Sequence, residues 1–244
     1  MTTRICFRLI EVGGIARSAV ERCADDANNR AMWINLERRV DWSEAERALS
    51  KGDPVMRRLI KRVGPCTLGP RRDYFVKLCQ SIFAQQLSTV VATVLFNRFR
   101  DQFPGRRPTP ARVVEFIDTA GDERIRAVGL SRQKRVYVRD LAAHFADGRV
   151  RTRAFAKMED EEIVQALTPI KGIGRWTVEM FLIFCLNRTD VWPVDDLGVR
   201  KGAGREYGMA EMPTKKELAE MGERWRPWRT VVAWYFWRGA DGET

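Results

Sequence analysis

Ile170-Lys171-Gly172-Ile173-Gly174-Arg175-Trp176-Thr177, with Pro193-Val194-Asp195-Asp196 some twenty residues on, is the stretch whose reading decides the fold. Two glycines one residue apart permit a tight turn. Glycine tolerates positive φ and, without a Cβ, lets another backbone come close. Leu167 and Ile170 lie before the turn, and Val178, Phe181, Leu182 and Cys185 recur after it at helical spacing. This pattern predicts helix, tight hairpin, helix. The second helix would start just past the glycines and point unpaired N–H groups outward, which makes its N-terminus an anion site. Gly-x-Gly alone is equally compatible with an ordinary turn between two core helices.

The surrounding chain favours an anion-binding role. It has 244 residues, 43 Lys and Arg against 32 Asp and Glu, and a net charge of +11. That charge suits a polyanionic partner. The basic residues are spread along the whole chain, which points to nucleic acid rather than a membrane surface. A solvated basic surface with no such role is the plainer alternative. A hydrophobic content of 45% with 31% charged residues is that of a globular chain large enough to bury a core. The five cysteines, Cys6, Cys23, Cys66, Cys79 and Cys185, are scattered, no CxxC occurs, and His144 is the single histidine. Neither a zinc site nor a four-cysteine iron–sulfur cluster is expected, and the thiols read as reduced. No run of about twenty apolar residues marks a membrane span. The start reads as neither a signal peptide nor a transit peptide, the latter disfavoured by Glu11, Glu21, Asp25 and Asp26.

Outward from the hairpin, the chain reads as short helices with capping signals. Ala24-Asp25-Asp26-Ala27-Asn28-Asn29-Arg30 is polar and aperiodic, and residues 1–42 read as a loosely attached extension of unknown role. Ser43-x-x-Glu46 has the form of a capping box, as does Thr214-x-x-Glu217. Asp53-Pro54 is an N-cap with proline at the first helical position, ahead of an apolar face of Val55, Met56, Leu59, Ile60 and Val63. Asp73, Ser88, Thr109, Ser131 and Asp160 are placed to start further helices, and Gly64, Gly121 and Gly129 to end them. Ala84-Gln85-Gln86-Leu87-Ser88 interrupts an apolar run as a polar corner. His144 reads as a packed structural residue. Glu223 to Trp237 reads as an aromatic final helix, and no alternating strand pattern or internal repeat stands out. The expected fold is all-α. Asp195 and Asp196, following Pro193, are readable as solvated or capping residues, or as one cap and one carboxylate facing a cleft.

The Leu167-x-x-Ile170-Lys171-Gly172-Ile173-Gly174-Arg175-Trp176-Thr177 hairpin followed by Asp195-Asp196 resembles the helix-hairpin-helix GPD superfamily of DNA glycosylases. Trp176-Thr177 and the double Asp are similar to its alkylated-base (3-methyladenine) branch. Gly129-Leu130-Ser131-x-x-Lys134 and the Gln-Gln-x-Ser corner also resemble the family, and the likeness runs from about Ser43 to Arg238. The resemblance implies two helical lobes with a cleft between them. Lobe one would comprise about 43–80 with 197–244, and lobe two about 81–196. It implies a monofunctional glycosylase that hydrolyses the N-glycosidic bond of alkylated purines, of the 3-methyladenine and 7-methylguanine type, in duplex DNA. Asp196 would be the catalytic carboxylate, leaving Asp195 as the helix cap. Trp176, Met180 and Trp237 would form the base pocket, with Met180 where the family usually has an aromatic. Strand-nicking relatives carry a lysine nucleophile where this chain has Trp176. Lys171, Gly172, Ile173, Gly174 and Arg175 would hold a phosphate, and Gln86 would fill the gap left by the flipped nucleotide. No cofactor is implied beyond a monovalent cation, sodium, held by the carbonyls of Lys171 and Ile173 when DNA is bound. The expected partner is double-stranded DNA containing damaged bases, met by a monomer in a bacterial cytoplasm or a eukaryotic nucleus. Two alternatives stand beside this reading: a glycosylase for other damaged or mismatched bases, and a helix-hairpin-helix protein that binds damage without cutting.

Overall fold

The computed structural model describes residues 40–241, and every regular element among them is helical. Twelve α-helices occur among these residues. The first six are α1 (Trp42–Gly52), α2 (Pro54–Val63), α3 (Tyr74–Ala84), α4 (Thr89–Arg100), α5 (Pro110–Thr119) and α6 (Asp122–Ala127). The rest are α7 (Arg132–Ala146), α8 (Asp160–Leu167), α9 (Arg175–Phe184), α10 (Leu197–Glu206), α11 (Lys215–Gly222) and α12 (Arg229–Asp241). Short 3-10 turns at Pro104–Arg106, Thr152–Lys157 and Glu223–Trp225 join some of them. The extension read over residues 1–42, with Cys6 and Cys23, lies almost entirely outside the described residues.

Capping chemistry explains most helix starts. Asp53 accepts the N–H groups of Val55 and Met56, Ser88 that of Val91, and Ser131 that of Lys134. Thr214 and Glu217 form the expected reciprocal box. Three expectations need correction. Asp41, not Ser43, caps α1, and its side chain accepts from the Ser43 N–H. Trp42 is buried with its indole N–H on the Leu68 carbonyl, which draws the helix start inward. Glu46 is spent elsewhere, accepting the Cys66 N–H at 2.6 Å and the Tyr235 hydroxyl at 2.8 Å. Likewise Glu159, boxed with Glu162, caps α8, and Asp160 is its first residue. The final helix does not open at Glu223. A single 3-10 turn ends at Trp225, Pro227 has no N–H to continue it, and α12 begins at Arg229.

Apolar periodicity becomes one continuous core. Phe83, Phe99, Tyr235, Phe236, Met56, Leu59 and Leu141 are among its fully buried side chains. α12 packs on α1, α2 and α10, while α3 packs on α4, α7 and α9. α5 lies on α7, and α8 on α9. His144 ends α7 with Nδ1 on the Asp140 carbonyl and Nε2 beside Arg149, a structural position.

Candidate active site

The hairpin forms as its residues suggest. Leu167, Ile170 and Ile173 are buried and anchor it. The Ile170 N–H bonds the Leu167 carbonyl at 3.1 Å, and the Ile173 N–H bonds the Ile170 carbonyl at 3.0 Å. Gly172 stands at φ +83°, and a Cβ there would overlap the Tyr137 ring. Glycine is required on both counts. Gly174 precedes α9, and no side chain caps that helix. Its first N–H groups are therefore left for an external acceptor. Lys171 and Arg175 are exposed beside the turn. The Arg175 guanidinium is held by Glu161 at 2.6 and 3.0 Å, which lowers the Glu161 carboxyl below its usual range. The Lys171 N–H is taken by Asp140 at 2.8 Å.

Asp196 follows from the other side of the hairpin. The Asp190–Pro193 segment that delivers it is tied to the start of α12. Arg229 bonds Asp190 at 2.6 and 3.0 Å, Thr230 Oγ1 accepts the Val191 N–H, and the Trp192 indole donates to the Leu218 carbonyl. Asp196 is only 2% exposed. Its Oδ1 accepts the Val199 N–H at 2.9 Å and the Trp237 indole N–H at 2.8 Å. Its Oδ2 accepts the Trp176 indole N–H at 2.8 Å. Burial pushes its carboxyl above the ordinary range, and the donors from Trp237, Val199, Trp176 and Gly198 pull part of that back.

The capping assignment is thus reversed. Asp196 is itself the N-cap of α10, whereas exposed Asp195 pairs with Lys215. One carboxylate both caps the helix and takes two indoles, because Oδ1 accepts from both Val199 and Trp237 and leaves Oδ2 for Trp176.

Trp176 and Met180 do come together. With Lys77, Gln80, Ser81 and Phe181, they line a narrow slot between α3 and α9. The slot encloses about 30 Å³, whereas a cavity that takes a single aromatic ring is on the order of 150 Å³. Trp237 is not in its wall. It lies behind Asp196, stacked on Phe184 at 5.5 Å between centroids. Gly198 makes that approach feasible, since a Cβ there would stand 2.7 Å from Trp237 Cδ1. Gln86 is exposed at the corner with φ +61°.

Several residues of this region escaped the sequence reading. Lys77 is half-buried against Gln80 at 3.2 Å, and burial lowers its ammonium below the usual lysine range. Gln85 donates to the Gly172 carbonyl at 2.9 Å. Glu179 is largely buried, with an Oε2 that has no hydrogen-bond partner. For Gln85 it is the contact with Gly172 that escaped, the residue itself lying in the Gln-Gln-x-Ser corner, and the Gly-x-Ser-x-x-Lys run likewise marks Lys134. Lys134 bonds the carbonyls of Phe83 and Gln85. Among the described residues, no cluster of three or more His, Cys, Asp or Glu could hold a metal ion.

The chain has known relatives. The family described as the HhH-GPD superfamily of base excision DNA repair proteins matches residues 79–227, and the chain belongs to it. The chain is 38% identical over 201 residues to DNA-3-methyladenine glycosylase 1 of Schizosaccharomyces pombe, across 80% of this chain and 86% of that one. It is 31% identical to the alkylbase DNA glycosidase-like protein mag2 of the same organism, across 81% and 93%. Among solved structures, the S. pombe 3-methyladenine DNA glycosylase in complex with abasic DNA superposes with a TM-score of 0.70 at 36% identity, covering 80% of this chain and 95% of that one. A DNA-3-methyladenine glycosidase from Bacillus halodurans superposes with a TM-score of 0.72 at 32% identity, covering 84% and 92%.

Proposed function

We propose that this protein is a monofunctional DNA glycosylase that hydrolyses the N-glycosidic bond of alkylated purines in duplex DNA. The observation that carries the proposal is the Asp196 carboxylate, buried and aimed by two indoles and a helix N-terminus at the foot of the hairpin. Relatives named for 3-methyladenine excision support the choice of lesion.

Breaking the C1′–N bond gives the sugar oxocarbenium character. An ionised carboxylate fixed beside C1′ stabilises that charge as it forms and orients the attacking water. Fixed donors matter here. They favour the ionised form of Asp196 against its burial and leave no reorganisation to the transition state.

The base must first leave the stack. A purine methylated at N3 or N7 is cationic, and the faces of Trp176 and Met180 suit it by cation–π and soft sulfur contact. The slot they line must widen to admit it. The hairpin from Gly172 to Gly174 and the uncapped start of α9 at Arg175 hold the neighbouring phosphate, and Lys171 adds charge. Gln86 enters the gap left behind. The carbonyls of Ile170 and Gly172 are engaged within the protein, so those of Lys171 and Ile173 are the candidates to hold a monovalent cation when the phosphate arrives. Trp176 stands where a Schiff-base lysine would be needed for strand cleavage, so the product is an abasic site. The protein works as a monomer wherever its cell keeps DNA.

The decisive experiment measures free-base release from methylated duplex DNA by wild type and Asp196→Asn. Release of 3-methyladenine or 7-methylguanine by wild type alone, with duplex binding kept by the variant, is the expected result. Equal release by both would remove Asp196 from the chemistry. No release by wild type despite tight binding would favour a binding protein.

A further inference from the structure

One face of α7 touches both DNA-facing elements. Lys134, Tyr137 and Asp140 recur at three-residue spacing on that face. The Lys134 ammonium donates to the Phe83 carbonyl at 2.7 Å and the Gln85 carbonyl at 2.8 Å. Those carbonyls end α3, where the chain turns into the corner. Tyr137 fills the space that a side chain on Gly172 would need. Asp140 accepts the Lys171 N–H at 2.8 Å. A direct strut closes the triangle, since the Gln85 amide donates to the Gly172 carbonyl at 2.9 Å.

The corner needs such support. Gln86 stands at φ +61°, a sparsely populated conformation for a non-glycine residue that persists only where its surroundings impose it. The surroundings here are Lys134 on the preceding carbonyl and Gln85 on the hairpin. A lysine bonded to two backbone carbonyls acts as a positive C-cap for α3 and fixes where the next residue points.

We infer that Lys134 is a positioning residue which, with Gln85, locks the Gln86 corner to the Gly172 hairpin, so that phosphate capture and insertion of Gln86 occur at one fixed spacing. The inference rests on the reading of Gln86 and the hairpin as DNA contacts. It assigns Lys134 no contact with DNA. Its role is to keep Gln86 and the phosphate site in register, so that holding the phosphate already places the wedge.

Lys134→Met removes both bonds and keeps the stem. Single-turnover excision, duplex affinity and flipping, followed by 2-aminopurine fluorescence beside the lesion, are measured for wild type, Lys134→Met, Gln86→Ala and the double variant. Flipping and excision should fall about a hundredfold in Lys134→Met, the loss expected from a misplacement on the order of 1 Å. Affinity for undamaged duplex should change less than threefold. Because both residues act through one wedge, the double variant should lose no more than the worse single variant. Additive losses, or wild-type flipping in Lys134→Met, would overturn the inference. Should Lys134→Met fail to fold, Gln85→Met, which cuts only the strut to Gly172, is expected to slow flipping in the same non-additive way with Gln86→Ala. Flipping is read without base release. A wild type that flips but never excises therefore defeats the proposed reaction while leaving the test of Lys134 intact.

Discussion

Replacing Glu179 with Gln should stabilise the protein, and only above mildly acidic pH. Glu179 lies on α9 four residues after Arg175, largely buried, with Oε2 unpartnered. Burial pushes its carboxyl from 4.5 to about 7, the nearby charges of Asp195, Asp196 and Glu161 add to the rise, and Arg175 offsets part of it. Arg175 is itself held by Glu161. In the unfolded chain the same group titrates near the ordinary 4.5. A folded pKa above the unfolded one means the native state holds the proton more tightly. Stability from this group is therefore complete below about 4.5 and is lost as pH rises through about 7. The full interval corresponds to about 3 kcal/mol, and screening at its exposed edge reduces this to ~2 kcal/mol. The amide keeps the shape and never ionises. Thermal melts of wild type and Glu179→Gln from pH 4.5 to 8 should nearly coincide at the acid end. The variant should lead by about 4–8 °C at pH 8. A constant offset across the range, or a wild type that gains on the variant as pH rises, would refute the assignment of a strained, buried carboxylate.

The acid limb of excision should report Asp196, whose carboxyl burial raises. Activity should be lost on acidification at a pH above the ordinary carboxylate range, and Trp176→Phe, which deletes one donor, should move that limb higher still in a single-turnover pH–rate profile. Gly198→Ala places a methyl against Trp237 and should slow excision at least tenfold with duplex affinity kept, read by single-turnover kinetics beside a binding titration; unaltered kinetics would show that the Trp237 contact is dispensable. Borohydride trapping on abasic duplex should leave no covalent adduct. An adduct at Lys77, the half-buried amine on the slot, would overturn the monofunctional assignment.

Features governed by three- and four-residue spacing were legible from sequence. Asp53 with Pro54, Ser88, Ser131 and the Thr214–Glu217 box all sit where short-range rules placed them. The hairpin too was readable, since its glycines, its buried Leu167 and Ile170 and the uncapped helix start are all local. What could not be read was the use of one side chain by two distant partners. Glu46 looked like half of a capping box, but a tyrosine 189 residues away and the Cys66 amide claimed it. Asp196 defeated the either-or of cap and functional carboxylate for the same reason. Its cap partner Val199 lies three residues on, but its indole partners lie 20 and 41 residues away. Local rules identify what a residue can satisfy nearby, and a buried carboxylate with two oxygens has capacity to spare. In Asp196 the helix cap is thereby part of the geometry of the proposed site. The Val199 N–H fixes Oδ1, Trp237 secures the same oxygen, and Trp176 meets Oδ2 at the edge of the slot. Fold and site share one side chain here, so a substitution that tests the chemistry also tests the start of α10. Asn keeps the volume and, with its oxygen in the Oδ1 place, the acceptor for the Val199 and Trp237 N–H groups, while losing the charge and the acceptor that meets Trp176, which makes Asp196→Asn rather than Asp196→Ala the variant that tests the chemistry with the start of α10 kept.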